Sequence, residues 1–508
     1  MTSIGKPGSR PTPLVKQEPV KAPVTAPRPN AVKAAVSQRM SDGFEGGPRA
    51  APARPQVLKE IGTQAPGGEG DKAGAKKDGG GFLGGIRSTI KDIIKDAAKA
   101  LAPQVSTNAA GNTVVDLGVG NNTVKVSQNK DGGLTITSGK DTVTLTAEQA
   151  KGAIIQGGAG DDSITLDASV TQDLTLDGGE GNDKLTGGKG NDKLVGGAGN
   201  DTVIGGEGKD TLSGLDGDDY LEGGAGDDRI LGGEGRDVLY GLDGNDYVSG
   251  GGGRDYVDAG AGDDKAFGGA GDDQVIGGRG NDTLSGGSGN DAVAGGAGKD
   301  TARGGTGADK LYVEEGESTP DVATGEKTIV DMTDADQRGT SVSVTGSAEF
   351  QARTQSDLDA MRSMPSGQEL LRTLDDSGKK TTIRETASGN SAGGTNFNDG
   401  FMNADGTAGK GTDAQVNYNT TRISLGSEEW MNRPPVVGLF HELVHASDMV
   451  NGTLALGEKN GTRNLEPSAV GLPIDLDQDP STPDVVQGGR PGENVLRDEL
   501  NLPTRPRY

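Results

Sequence analysis

The sequence contains no cysteine, which excludes disulfides, thiolate metal sites and cysteine nucleophiles together. It has only two histidines, and aromatic residues make up 3% of its 508 residues. Hydrophobic residues reach 31%, too few to build ordinary globular cores along the whole length. No apolar run approaches the ~18 residues of a membrane span, and Met1 to Arg10 has no apolar signal-peptide core. Neither a transmembrane anchor nor a cleaved Sec-type signal is expected. What the chain has in excess is glycine, 90 residues, and acid, with a net charge of -25. Such acidity repels a polyphosphate, so no nucleic-acid partner is expected and divalent cations are the natural ligands.

The composition shifts along the chain. Residues 1–80 are rich in Pro, Ala, Lys, Arg, Gly and Ser and lack periodicity, as in a disordered leader; an acid-poor leader of this kind also suits an uncleaved export signal. Within 81–104, Ile86, Ile90, Ile93, Ile94, Ala97 and Leu101 share one helical face, opposite Arg87, Lys91, Asp92, Lys95 and Lys99. This amphipathic helix can plug the end of a following solenoid, or bind a membrane surface through residues 82–101. Over 105–177, the runs Thr113–Leu117, Thr123–Val126, Leu134–Thr137 and Thr142–Leu145 alternate between Gly, Asn and Asp turns and predict the strands of a solenoid start.

From Gly178 to Tyr312 a nine-residue unit, Gly-Gly-x-Gly-x-Asp-x-apolar-x, recurs fifteen times without insertion. Its sixth position is Asp183, Asp192, Asp201, Asp210, Asp219, Asp228, Asp237, Asp246, Asp255, Asp264, Asp273, Asp282, Asp291, Asp300 and Asp309. An earlier copy at Gly157–Thr165 adds Asp162. Glycines at positions one, two and four are expected to take positive φ and turn carbonyls inward, while the Asp adds a carboxylate; these are hard oxygen ligands for Ca²⁺. The aliphatic eighth position supplies one inward side chain per short strand, so stacked coils bury a thin apolar ladder. Lys209, Arg236, Arg254 and Lys299 replace the commoner Asn or Asp at position five. The pattern resembles the RTX (repeats-in-toxin), hemolysin-type family, which implies a parallel β-roll over 178–312 with multiple structural calcium ions in its turns.

Residues 313–349 read as a linker and 350–508 as an α+β domain, with a helix over Ser356–Leu374 and strands at Thr381–Glu385 and Val416–Leu425. Both histidines of the chain fall in His441-Glu442-Leu443-Val444-His445. Pro434 and Pro435 suit the first turn of a helix whose apolar body runs to Gly452. At i and i+4 the two imidazoles project from one face and can grip one catalytic Zn²⁺, with Glu442 as general base. With no third histidine available, the third protein ligand must be a carboxylate: Glu466, or Asp448 as the alternative, which can instead orient an imidazole. Gly389–Gly393 spells a nucleophile elbow, but no histidine is left to serve it.

The segments His441–Asp448, Glu466–Leu472, Gly492–Arg497 and Leu502–Tyr508 resemble the NleD-type effector zinc metallopeptidases, a secreted virulence family. The resemblance implies a zincin-like fold, zinc-dependent endopeptidase activity on protein substrates of a target cell, and Glu466 as third ligand. Arg505 and Tyr508 are similar to the Arg-x-x-Tyr pair of clostridial-type zinc proteases, which implies a role at the oxyanion. The expected protein is therefore a secreted toxin or effector that folds on calcium and is passed by secretion machinery, of type III among the candidates, into a host cell. The competing expectation is a calcium-dependent adhesin without activity.

Overall fold

The computed structural model describes residues 103–320, 326–402, 407–421, 432–454, 458–459, 462–463, 469–470 and 491–506. The expected leader and the apolar positions of the amphipathic helix lie outside these residues. No helix among the described residues is long and apolar enough to cross a membrane.

Each nonapeptide forms one strand and one turn, and two of them close a coil. Leu194 accordingly faces Leu212 in a parallel pair on one sheet, and Val203 faces Leu221 on the other. The coils build an 11-stranded and a 13-stranded sheet, the parallel β-solenoid that the repeat predicts. Between the sheets the eighth-position side chains, Leu185, Leu194, Val203, Leu212 and onward to Leu311, form one buried ladder. Antiparallel pairs finish the N-terminal end: Gln104–Thr107 with Thr113–Asp116, and Thr123–Gln128 with Leu134–Ser138, itself paired to Asp141–Leu145.

The glycines do not all work as expected. Gly197 and Gly199, at positions two and four, hold φ of 125° and 129°, whereas position one does not enter this region. Gly196 is needed there for closeness: a Cβ would stand 2.3 Å from Asp201 Oδ2. Leu215 and Leu242 occupy position two at φ of 84° and 74°, a strained conformation for a branched residue. The copy at 187–195 is irregular. None of its three glycines is at positive φ, because its turn stacks on the non-repeat segment around Val170, whose carbonyl accepts from Lys189 N at 3.0 Å.

The outer face of the 13-stranded sheet is covered from Tyr220 to Tyr312, while Lys125 and Lys184 on its earlier strands stay exposed. Tyr220, Val238, Tyr240, Tyr256, Ile276, Ala294 and Tyr312 join Leu358, Met361, Leu371, Val416 and Leu439 in a single core, so the roll is one wall of the C-terminal domain. Within the segment expected as a linker, Glu326–Ile329 pairs with Lys310–Val313, and Val342–Thr345 starts a new sheet beside Thr381–Glu385. That sheet continues with Ala414–Tyr418 in parallel and ends on the antiparallel edge strand Ser391–Gly394, giving a mixed α/β domain.

The helix expected over Ser356–Leu374 is two helices, Ala348–Arg362 and Pro365–Asp376. Met364 precedes a proline, whose ring disfavours helical backbone one residue earlier, and it is extended at φ -124° and ψ 142°. The first helix starts on Ser347, whose Oγ accepts from Phe350 N at 3.1 Å. It delivers a buried ion pair to the roll: Arg353 Nη1 lies 2.9 Å from Asp357 Oδ1, and the guanidinium stacks on the Tyr240 ring. Tyr418 OH donates to Asp357 Oδ2 at 2.6 Å, and Arg353 Nε donates to Tyr220 OH at 3.2 Å.

Candidate metal centre

The helix Pro435–Asn451 carries the histidines through the middle of the C-terminal domain. Its start follows from Pro434 and Pro435, which need no N–H partner, and its end from Gly452, which takes the left-handed conformation (φ 67°). It is buried from Pro435 to Val450, with the polar His441, Glu442, His445, Ser447 and Asp448 included, so its backbone is held on every side.

His441 and His445 are both buried, with their Nε2 atoms 3.2 Å apart and their rings nearly perpendicular. Two nitrogens on one tetrahedral zinc, each about 2.0–2.1 Å from it, stand about 3.3 Å apart. The pair therefore fits a shared zinc ion. His441 Nδ1 lies 2.8 Å from Glu493 Oε2 and donates to it, which places the Nε2 lone pair toward His445.

Glu493, at the start of the helix Glu493–Glu499, was not among the residues the sequence singled out for a role. It is fully buried, and three arginines surround it: Arg497 Nε at 2.6 Å, with Arg433 Nη1 and Arg505 Nη1 each at 3.5 Å. Burial alone would raise its carboxyl; the hydrogen bond from His441 and the positive charge of Arg433 and Arg497 outweigh it and hold the group well below the usual carboxylate range. No local spacing links Glu493 to the histidines. The cues are Arg497, which follows it by one helical turn, and its place in the Gly492–Arg497 segment that resembles the effector metallopeptidases, neither of which assigns it a role.

The other expected residues divide. Glu442 is buried beside His441 on the same helix. Asp448 is buried and accepts from Thr453 Oγ1 at 3.0 Å, and it does not join the histidines in a three-residue metal cluster among the described residues. Arg505 faces Glu493, on the Nδ1 side of His441. Glu466 and Tyr508 lie outside the described residues. The elbow-like Gly389–Gly393 leads into the edge strand Ser391–Gly394 and not into a helix.

The roll presents a second kind of site. Apart from Asp162 and Asp192, which accept from Asn122 N and Leu174 N, each sixth-position Asp, Asp201 for instance, accepts through Oδ1 the N–H of the equivalent Asp one coil earlier, here Asp183 at 2.7 Å. The other oxygen, Oδ2, is buried without a hydrogen-bond partner in Asp162, Asp183, Asp201, Asp210, Asp219, Asp228, Asp237, Asp246, Asp255, Asp264, Asp273, Asp282, Asp291 and Asp300. Buried carboxylate oxygens are not left unpaired without cause, and a cation between stacked turns satisfies all of them. Asp192 differs, because Gly188 N donates to its Oδ2 at 3.0 Å.

The comparisons with known families agree with this division. Residues 338–508 match the model of the Peptidase_M91 family, described as effector protein. The RTX calcium-binding nonapeptide repeat matches at 154–169, 175–203, 204–239, 231–266, 249–284, 267–302 and 285–319. No curated protein matches the chain. The chain thus carries a Peptidase_M91 effector domain on a run of RTX calcium-binding nonapeptide repeats.

Proposed function

We propose that the C-terminal domain is a zinc endopeptidase acting on proteins of a target cell, and that the roll folds on calcium once the chain is exported. The observation that carries the zinc reading is the 3.2 Å approach of His441 Nε2 and His445 Nε2, with Glu493 fixing the tautomer of the first. Glu466 completes the ligand set in this reading. A zinc ion held there would act as a Lewis acid on the scissile carbonyl and make water a stronger acid. Glu442 takes the proton from the attacking water and returns it to the leaving amine. Tyr508 is the proposed oxyanion donor, while Arg505, held on Glu493 at the Nδ1 side of His441, supports the centre from behind it. The edge strand Ser391–Gly394, packed against the histidine helix, offers free backbone groups for an extended substrate segment.

The test is Glu442→Gln, which keeps size and helix but removes the base. Peptidase activity is expected to fall by about 10²–10⁴-fold while zinc stays bound. Undiminished cleavage by this variant would exclude the mechanism. Comparing the proteins of target cells exposed to the parent and to Glu442→Gln identifies the substrate. Secretion and entry into those cells are read in the same experiment, by where the chain is recovered.

A further inference from the structure

The last coils of the roll touch the helix Glu493–Glu499, which presents Glu493 to the metal centre, and the residues just after it, and they do so next to their own calcium-site aspartates. Asn290, directly before Asp291, accepts through its carbonyl from Asn501 Nδ2 at 3.2 Å. Lys310, directly after Asp309, pairs with Asp498 Oδ2 at 3.3 Å and also donates to the Asp498 carbonyl. Tyr312 OH, on the same strand, donates to the Glu499 carbonyl at 3.1 Å. Asp291 and Asp309 are themselves joined, Asp291 N donating to Asp309 Oδ1 at 3.1 Å. At the other end of that seven-residue helix stands Glu493, hydrogen-bonded to His441. Ser366 grips the helix from the peptidase side, its Oγ lying 2.6 Å from Glu499 Oε2.

The geometry points to a coupling in which calcium between the Asp291 and Asp309 turns sets how tightly the peptidase domain holds its zinc, with Glu493 as the positioning residue that transmits it. This rests on the zinc reading above. Calcium fixes the two turns against one another, and those turns fix Asn290, Lys310 and Tyr312. Three contacts then fix the C-terminal end of the helix, and a short rigid helix fixes Glu493. A carboxylate that orients a ligand imidazole governs metal affinity by about 10–100-fold. Linkage makes the effect mutual: zinc on the histidines tightens calcium at these last turns by the same factor.

The experiment compares two double variants of the full chain in calcium. Asp291→Asn with Asp309→Asn weakens the calcium site beside the helix; Asp162→Asn with Asp183→Asn removes the same charge from the far end of the roll. Zinc affinity, measured against a chromophoric chelator, is expected to fall at least about fivefold in the first and to stay at the parental value in the second. Amide exchange over 493–499 should speed up in the first variant only, a readout that needs no zinc. Tyr312→Phe, which touches no calcium ligand, should give a smaller loss of the same kind. Equal zinc affinity in both double variants, or an equal loss in both, overturns the coupling. If the parent itself takes up no zinc the zinc reading fails, and unaltered exchange over 493–499 would separately refute the mooring.

Discussion

Removing calcium is expected to unfold the peptidase together with the roll. The buried, unpartnered Oδ2 atoms place roughly a dozen carboxylates where each needs a cation, and the ladder of Leu and Val between the sheets is only one side chain thick per strand. With site dissociation constants of about 10⁻⁴–10⁻³ M, 1 mM calcium stabilises by about 0.4–1.4 kcal/mol per site. A dozen sites then give about 5–17 kcal/mol, as much as the whole stability of a typical domain. Because Tyr220, Tyr240, Tyr256 and Tyr312 belong to the same core as Leu358, Met361 and Leu439, the loss cannot stop at the roll. Far-ultraviolet circular dichroism follows the β-roll, and amide exchange follows the helices Ala348–Arg362 and Pro435–Asn451. Both should collapse over one calcium range, between micromolar and millimolar, at near-neutral pH. A peptidase domain that keeps its protected helices after the roll has melted would refute the shared-core argument, and a β signal unchanged in excess chelator would refute the calcium argument.

Other outcomes follow from the same structure. Burial, reinforced by neighbouring carboxylates, pushes Asp219, Asp228, Asp255 and Asp264 up to about 8, and Asp210 and Asp282 up to about 7. Their pKa values lie above those of the unfolded chain, so the stability they lend without calcium is full below about pH 4 and is lost as pH rises through 7 to 8. In chelator the β signal lost at pH 8 should return in part at pH 5, while calcium, which needs the carboxylates ionised, should bind more tightly at pH 8 than at pH 6; a pH-independent β signal in chelator would contradict this. Arg353→Ala leaves Asp357 charged and buried between Tyr240 and Tyr418, and should cost about 3–5 kcal/mol in denaturant unfolding at saturating calcium. A loss under about 1 kcal/mol would show that the pair contributes little. Leu215→Gly relieves a positive φ at a half-exposed side chain and should be neutral to stabilising by about 1 kcal/mol, whereas Leu242→Gly gives up a buried side chain and should destabilise. A destabilised Leu215→Gly protein would show that the backbone there is unstrained.

The solenoid was legible in the sequence because its period, its glycines and its aliphatic eighth position all specify one coil at a time. Two features escaped. The glycine at position one answers to the nearby Asp oxygen and not to its own φ, a contact that exists only once the turn is closed. The wall that the roll lends to the peptidase was also hidden: Tyr220, Tyr240 and Tyr256 sit at outward positions of a repeat, where sequence alone says solvent. At the centre, His441, Glu442 and His445 announced themselves by spacing on one helix. Glu493 could not, because its partnership with His441 is made by the tertiary fold, through a helix anchored on the roll at one end and ringed by Arg433, Arg497 and Arg505 at the other.

The central claim is that the two histidines of the chain hold a zinc ion inside a calcium-supported peptidase domain. Elemental analysis of protein folded in calcium and loaded with zinc tests it most directly, beside His441→Ala with His445→Ala. The account predicts about one zinc ion per chain in the parent, none in the double variant, and the same circular dichroism in both. A parent without zinc, or a double variant that keeps it, would contradict the account.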